Sequence, residues 1–165
     1  MDGYMEHMVK RQITSKDKAI RALCIALVVV ITLSFLFLGA FMILLGGLAC
    51  FLTIAVVFPR TDVEYEYLYC DKIVTVDKIM GKAKRKRMGE FEVEKMEIVA
   101  PSNSYRLADY KNRTVTEKDF SGHNGEDGDT PYVIYYDGNV KIILDLPEKF
   151  VKMVQNIAPR KVFMD

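Results

Sequence analysis

Residues 22–59 read ALCIALVVVITLSFLFLGAFMILLGGLACFLTIAVVFP, an apolar run without one charged side chain. As a single straight helix this run would reach roughly 57 Å, at ~1.5 Å of rise per residue, nearly twice a hydrocarbon core of about 30 Å. Its length therefore predicts two helices of about 17 to 20 residues folded back on each other. Gly39 and Ala40 lie near the middle, where the backbone must reverse. The polar positions inside the run are Thr32, Ser34 and Thr53, each able to bond its own helix backbone. No ionisable group lies at depth, so the pattern describes an anchor and argues against conduction.

After Pro59 the period changes to two. Val63, Tyr65, Tyr67 and Tyr69 face one way and Glu64, Glu66 and Leu68 the other, which predicts a strand over 63–69 with an aromatic inner face. A turn at Asp71-Lys72, a strand over 73–80, a turn at Gly81 and strands over 82–92 and 95–100 extend it into an antiparallel meander. The pattern is lost over 101–131, and its Gly/Asp-rich part, SGHNGEDGDT at 121–130, is expected to be mobile. Order returns with strands over 132–136 and 140–146 around Asp137-Gly138-Asn139, where Asp-Gly suits a tight reversal. Pro147-Glu148 then opens a helix with the apolar stripe Phe150, Val151, Val154 and Ile157, and Pro159 ends it. Upstream, Tyr4, Met5, Met8, Val9 and Ile13 recur at helical spacings among basic residues. Two readings fit that arm: an amphipathic helix on the membrane surface, or a solvated basic flank.

These elements divide the chain into a basic arm (1–21), a transmembrane helical hairpin (22–59) and one soluble domain (60–165). The fold class is an α+β membrane protein: the hairpin followed by a small, strongly bent antiparallel sheet or barrel closed by a C-terminal helix. Charge adds topology. The formal net charge of +1 hides a cluster of Lys10, Arg11, Lys16, Lys18 and Arg21 just before the apolar run. By the positive-inside rule this holds the N-terminus in the cytoplasm, and the second span returns the C-terminus to the same side of the membrane. The apolar region is too long for a signal-peptide core and lacks a small-x-small cleavage site. Of three cysteines, Cys24 and Cys50 lie in the apolar run and Cys70 stands alone in the domain, so no disulfide framework can form there.

Candidate chemistry is sparse. His7 and His123 have no second His or Cys beside them, and Asn124, Asp127 and Asp129 miss the offsets of a calcium loop. No phosphate loop, nucleophile elbow or paired acid/base spacing is present, so the expectation is a non-enzymatic protein without cofactor or metal. Lys82, Lys84, Arg85, Lys86 and Arg87 form the densest charge. Either they pair with Glu64, Glu66, Glu90, Glu92, Glu94 or Glu97 as a solvated strand, or they meet anionic lipid headgroups. The acids that follow at once argue against nucleic acid. Tyr105, Arg106, Tyr110, Lys111 and Arg113 read as a short helix capped by Ser104 that packs Leu107 and Tyr110, or as a loop for a membrane-protein partner. Gly46 and Gly47 offer a smooth helix face for packing, within the hairpin or against another protein, and homo-oligomerisation stays open.

The run VEYEYLYCDKIVTVDKIMGKAKRKRMGEFEVEKMEIVAP, with PYVIYYDGNVKIILDLPEKFVKMVQNIAPRK near the end, resembles the bacterial pleckstrin-homology-like membrane proteins, in which a transmembrane hairpin leads directly into such a domain. The opening MDGY, the run VEYEYLY and RLADYKNR are similar to an uncharacterised family of short membrane proteins from anaerobic Gram-positive bacteria. The resemblance implies a PH-like domain on a two-helix anchor and carries no catalytic residues. Together these readings expect a membrane-anchored scaffold or binding module at the cytoplasmic surface, with a small accessory subunit of a membrane enzyme or transporter as the alternative.

Overall fold

The computed structural model describes residues 3–122 and 130–165, so most of the loop expected to be mobile lies outside the described residues. The chain forms two compact units. The first comprises residues 1–12, 64–79 and 85–165, and the second residues 13–63 and 80–84.

Two four-stranded sheets build the first unit. One runs in the order β1-β2-β3-β4, with β1 (Met5–Lys10), β2 (Val63–Cys70), β3 (Ile73–Met80) and β4 (Lys84–Glu92). The other runs β5-β7-β8-β6, with β5 (Met96–Pro101), β6 (Thr116–Asp119), β7 (Thr130–Tyr136) and β8 (Val140–Leu146). Tight turns set the hairpins: Asp71 and Lys72 between β2 and β3, and Asp137 and Gly138 between β7 and β8, all have positive φ.

Four expectations are corrected here. The basic arm is neither a surface helix nor a solvated flank over its first half, because Met5–Lys10 pairs antiparallel with β2, from Met5↔Tyr69 to Lys10↔Glu64. Burial alternates along it, with Val9 buried between the exposed Met8 and Lys10, so the open edge of β2 overrides a short helical spacing. The meander breaks after β4, where a 3₁₀ turn over Val93–Lys95 passes β5 to the second sheet. The sheets are not wholly antiparallel, since β6 runs parallel to β8. In helix α5 (Glu148–Ile157), Phe150, Val151 and Val154 are buried, whereas Ile157 is exposed.

The core fills the space between the sheets and under α5. Tyr65 meets Phe120 edge-on, Tyr69 meets Phe150, and Phe91 meets Tyr136, at centroid distances of 5.7, 6.1 and 5.4 Å. Tyr67 is fully buried, and its hydroxyl donates to the Phe120 carbonyl at 2.7 Å. Burial pushes that phenol far above its usual range. Tyr67→Phe orphans a buried carbonyl and should cost about 1–2 kcal/mol in urea denaturation.

The second unit holds the apolar residues. Thr14 caps helix α1 (Ser15–Leu33) in a reciprocal box with Asp17. A short α2 (Phe35–Leu38) and a turn at Gly39, with φ 87°, lead into α3 (Phe41–Leu52), which packs beside α1. A π-helical turn over Thr53–Val57 joins α3 to α4 (Phe58–Thr61). Taken as one rod, Phe41–Thr61 is long and apolar enough to cross a membrane, with a mean hydropathy of 2.6. α1 carries Lys16, Asp17, Lys18 and Arg21 in its first turns, so its own apolar part is shorter.

Candidate functional site

Three surfaces gather the residues singled out by the sequence. The first is an ionic layer on the β2-β3-β4 sheet. Glu66 alternates with the core tyrosines of β2 yet is itself only 2% exposed, as is Asp77 on β3. Arg85 donates to Glu66 at 2.8 Å and approaches Asp77 at 4.0 Å. Arg87 donates to Asp77 at 3.2 Å and to Glu90 at 2.5 Å. The arginines of the basic run are therefore in ion pairs, while Lys84 and Lys86 alternate with them on the other face of β4 and are exposed. Burial raises the Glu66 carboxyl above its ordinary value, with Arg85 opposing and neighbouring Glu6 reinforcing the rise. The second Glu66 oxygen is buried without a hydrogen-bond partner.

The second surface is a groove of about 570 Å³ beside the 3₁₀ helix Tyr105–Tyr110. Ser104 accepts from the Arg106 amide at 3.3 Å and caps that helix, and Leu107 is buried beneath it. Tyr110 stacks on Tyr135 at 4.8 Å, so it joins the core cluster of Ile98, Ala100, Leu107 and Val133. Arg113 lies 4.5 Å over the Tyr110 ring and binds Glu97 at 2.7 Å, which leaves Lys111 exposed at the margin. Arg106 sits 4.1 Å over Phe163 and 5.1 Å from Tyr105, and its guanidinium grips both oxygens of Asp165 at 3.2 and 3.1 Å. That carboxylate raises the Arg106 pKa, and Arg106 lowers that of Asp165. Such a solvent-screened pair adds little to stability.

The bacterial PH-like domain family (DUF6106) matches residues 1–164. The chain belongs to that family. No curated protein and no solved structure matches it. In this PH-like domain α5 closes the sheets, and the segment after it returns to the free edge of β5, where the Val99 amide donates to the Lys161 carbonyl and the Phe163 amide to the Val99 carbonyl, both at 2.8 Å.

The third surface lies in the second unit, at the end of the apolar rod. Gly81 and Lys82 form the β3–β4 turn, both with φ 58°. The Gly81 amide donates to the Asp62 carbonyl at 2.9 Å, and a Cβ on Gly81 would fall 2.5 Å from that of Pro59. The turn is thereby seated on the rod's end, which brings Lys82 and Lys84 into the same unit as Arg60, Lys16, Lys18 and Arg21. Arg21 bonds the Thr61 hydroxyl at 2.6 Å and lies 5.0 Å over Phe58, tying the two helical legs together. The glycine pair divides. A Cβ on Gly46 would strike Thr32 of α1, whereas one on Gly47 meets nothing within 4 Å.

Sequence reasoning named Glu66 among the partners of the basic run but not its burial, and it missed Asp77, since an acid in a period-two strand reads as solvent-facing. It also missed Arg160, Phe163 and Asp165, which reach the groove only through the β5-edge pairing. Among the described residues no group of acids, histidines and cysteines is placed to hold a metal.

Proposed function

We propose that this PH-like protein is a membrane-anchored binding module that works at the cytoplasmic face by docking a partner, not by chemistry. The observation that carries the reading is the pairing of β1 with β2. These strands flank the apolar segment directly, so the chain leaves and re-enters one sheet on one side. That arrangement supports an even number of bilayer crossings for the apolar segment inserted between them. Phe41–Thr61 supplies one leg, with Leu44, Phe51 and Ile54 exposed for lipid, and the apolar part of α1 together with α2 supplies the other. Lys16, Lys18, Arg21, Arg60, Lys82 and Lys84 then form a basic collar at the base of the hairpin, each adding about 1 kcal/mol at an anionic leaflet. The same charges favour the cytoplasmic side for both termini. The outward Gly47 supports the second reading, in which the hairpin packs on a membrane enzyme or transporter as an accessory subunit.

The native cysteines test the anchor. Cys70 is exposed at the end of β2, while Cys24 and Cys50 lie in the helical legs. An impermeant maleimide should label Cys70 in inverted membrane vesicles and leave it untouched in intact cells. Cys24 and Cys50 should stay protected in both, and alkaline carbonate should fail to extract the protein. Labelling of Cys70 from outside would reverse the orientation, and extraction into the supernatant would remove the anchor.

A further inference from the structure

We propose that the groove beside the Tyr105–Tyr110 helix binds an acidic peptide segment of a protein partner, with Arg106 clamping its carboxylate and Asp165 acting as a built-in, displaceable stand-in. This rests on the reading of the PH-like domain as a binding module and names the class of partner it takes.

The chemistry of the occupant is already displayed. The Arg106 guanidinium, 4.1 Å over the Phe163 ring, presents a planar fork, and the Asp165 carboxylate meets it with two bonds at 3.2 and 3.1 Å. Tyr105 is 72% exposed at the rim, an aromatic wall beside the Arg106 guanidinium, which lies 5.1 Å from its ring. Arg160 adds an exposed cation to the half-buried Arg106. Of the acids lining the groove, Glu97 is held by Arg113 and by the Gly138 amide, both at 2.7 Å, which leaves Asp109. Once Asp165 withdraws, the groove is therefore net positive.

Displacement is structurally cheap, because Met164 and Asp165 are exposed while Val162 is buried and Phe163 is anchored at the β5 edge. Only the Met164 and Asp165 side chains need to swing away. A peptide carboxylate flanked by an apolar or aromatic residue satisfies both the fork and the wall. A phosphate or lipid headgroup satisfies the fork alone.

The test uses the full chain in detergent micelles and two fluorescein-labelled, amidated peptides, one ending Phe-Met-Asp and one ending Phe-Met-Asn. Asp165→Asn should bind the acidic peptide about tenfold more tightly than the wild type, and the Asn peptide at least tenfold more weakly, as for loss of a charged hydrogen bond. Adding Arg106→Gln to Asp165→Asn should abolish the gain, while Arg106→Lys should keep only part of it, with thermal melts showing each variant folded. Equal binding of the two peptides, or no gain from Asp165→Asn, overturns the proposal. So does displacement of the peptide by phosphatidylglycerol in the micelle, which would give the groove to a headgroup. A change of sedimentation in Asp165→Asn without peptide binding would give it to a second copy and likewise overturn it. Because micelles replace the bilayer, failure here leaves the cysteine-labelling result for the anchor untouched.

Discussion

Arg85→Ala is expected to destabilise the PH-like domain by about 2–3 kcal/mol, within the range for stripping one partner from a buried charge. The loss originates at Glu66, which is 2% exposed, and not at the half-solvated arginine, whose own attraction is screened. Without Arg85 the nearest cation is gone and the carboxylate must stay desolvated or take up a proton. Glu66 already leans toward the proton, since burial and Glu6 raise its carboxyl. The sign follows from linkage. A carboxyl raised in the folded state holds its proton more tightly there than in the unfolded chain. The stability it contributes is complete below the ordinary carboxylate value and is lost as pH rises through the raised one. Removing Arg85 removes the charge that opposes this rise, so the variant should fall further below the wild type at pH 8 than at pH 5. Thermal melts at the two pH values check this, at about 4–8 °C per kcal/mol for a domain of this size. Glu66→Gln in the Arg85→Ala background should recover most of the loss and flatten the pH dependence. Lys84→Ala and Lys86→Ala, on the other face of the same strand, should stay within about 0.5 kcal/mol of wild type. Equal losses from arginine and lysine variants would show that the ionic layer is not structural.

That contrast also shows where sequence patterns stop being legible. Strands β2, β3, β7 and β8 could be read directly because alternation of large apolar residues coincides with turn residues that tolerate positive φ. Helix α5 was equally clear from its stripe, and so was the Ser104 cap of the 3₁₀ helix. β1 was not. Its six residues fit both a helical and an alternating spacing, and the choice is made by the vacant edge of β2, more than fifty residues away. The parallel pairing of β6 and the move of β5 to a second sheet depend on long-range closure, which no local pattern encodes. The basic run was visible as charge, but its division into paired arginines and exposed lysines needed the neighbouring strands to reveal two buried acids. In the groove, Tyr105, Arg106 and Tyr110 were found from composition. Phe163 and Asp165 complete it only because the chain beyond α5 folds back along β5.

Phe150→Ala should cost about 3–5 kcal/mol, the range for emptying a large aromatic site that cannot collapse. Phe150 has no exposed surface, and its ring meets Tyr69 edge-on at 6.1 Å, so the vacated volume opens between α5 and β2. Val151 and Val154, buried on the same helix, hold α5 over that gap and limit relaxation. Against a typical total of about 5–15 kcal/mol, the loss is a large fraction of the stability of the domain. Urea titration should show the midpoint falling with the slope unchanged, as for a cavity in an intact fold. Ile157→Ala, one turn beyond Val154 but exposed, should cost under about 1 kcal/mol, so the pair separates core packing from helix propensity. The substitution also reaches the groove, because α5 delivers the segment that places Val162 and Phe163 on the β5 edge. If α5 loosens, Phe163 no longer backs Arg106, and acidic-peptide binding should weaken in Phe150→Ala even at temperatures where the domain remains folded. Unchanged peptide binding in a folded but destabilised Phe150→Ala would mean that the β5-edge pairing alone positions Phe163 under the arginine.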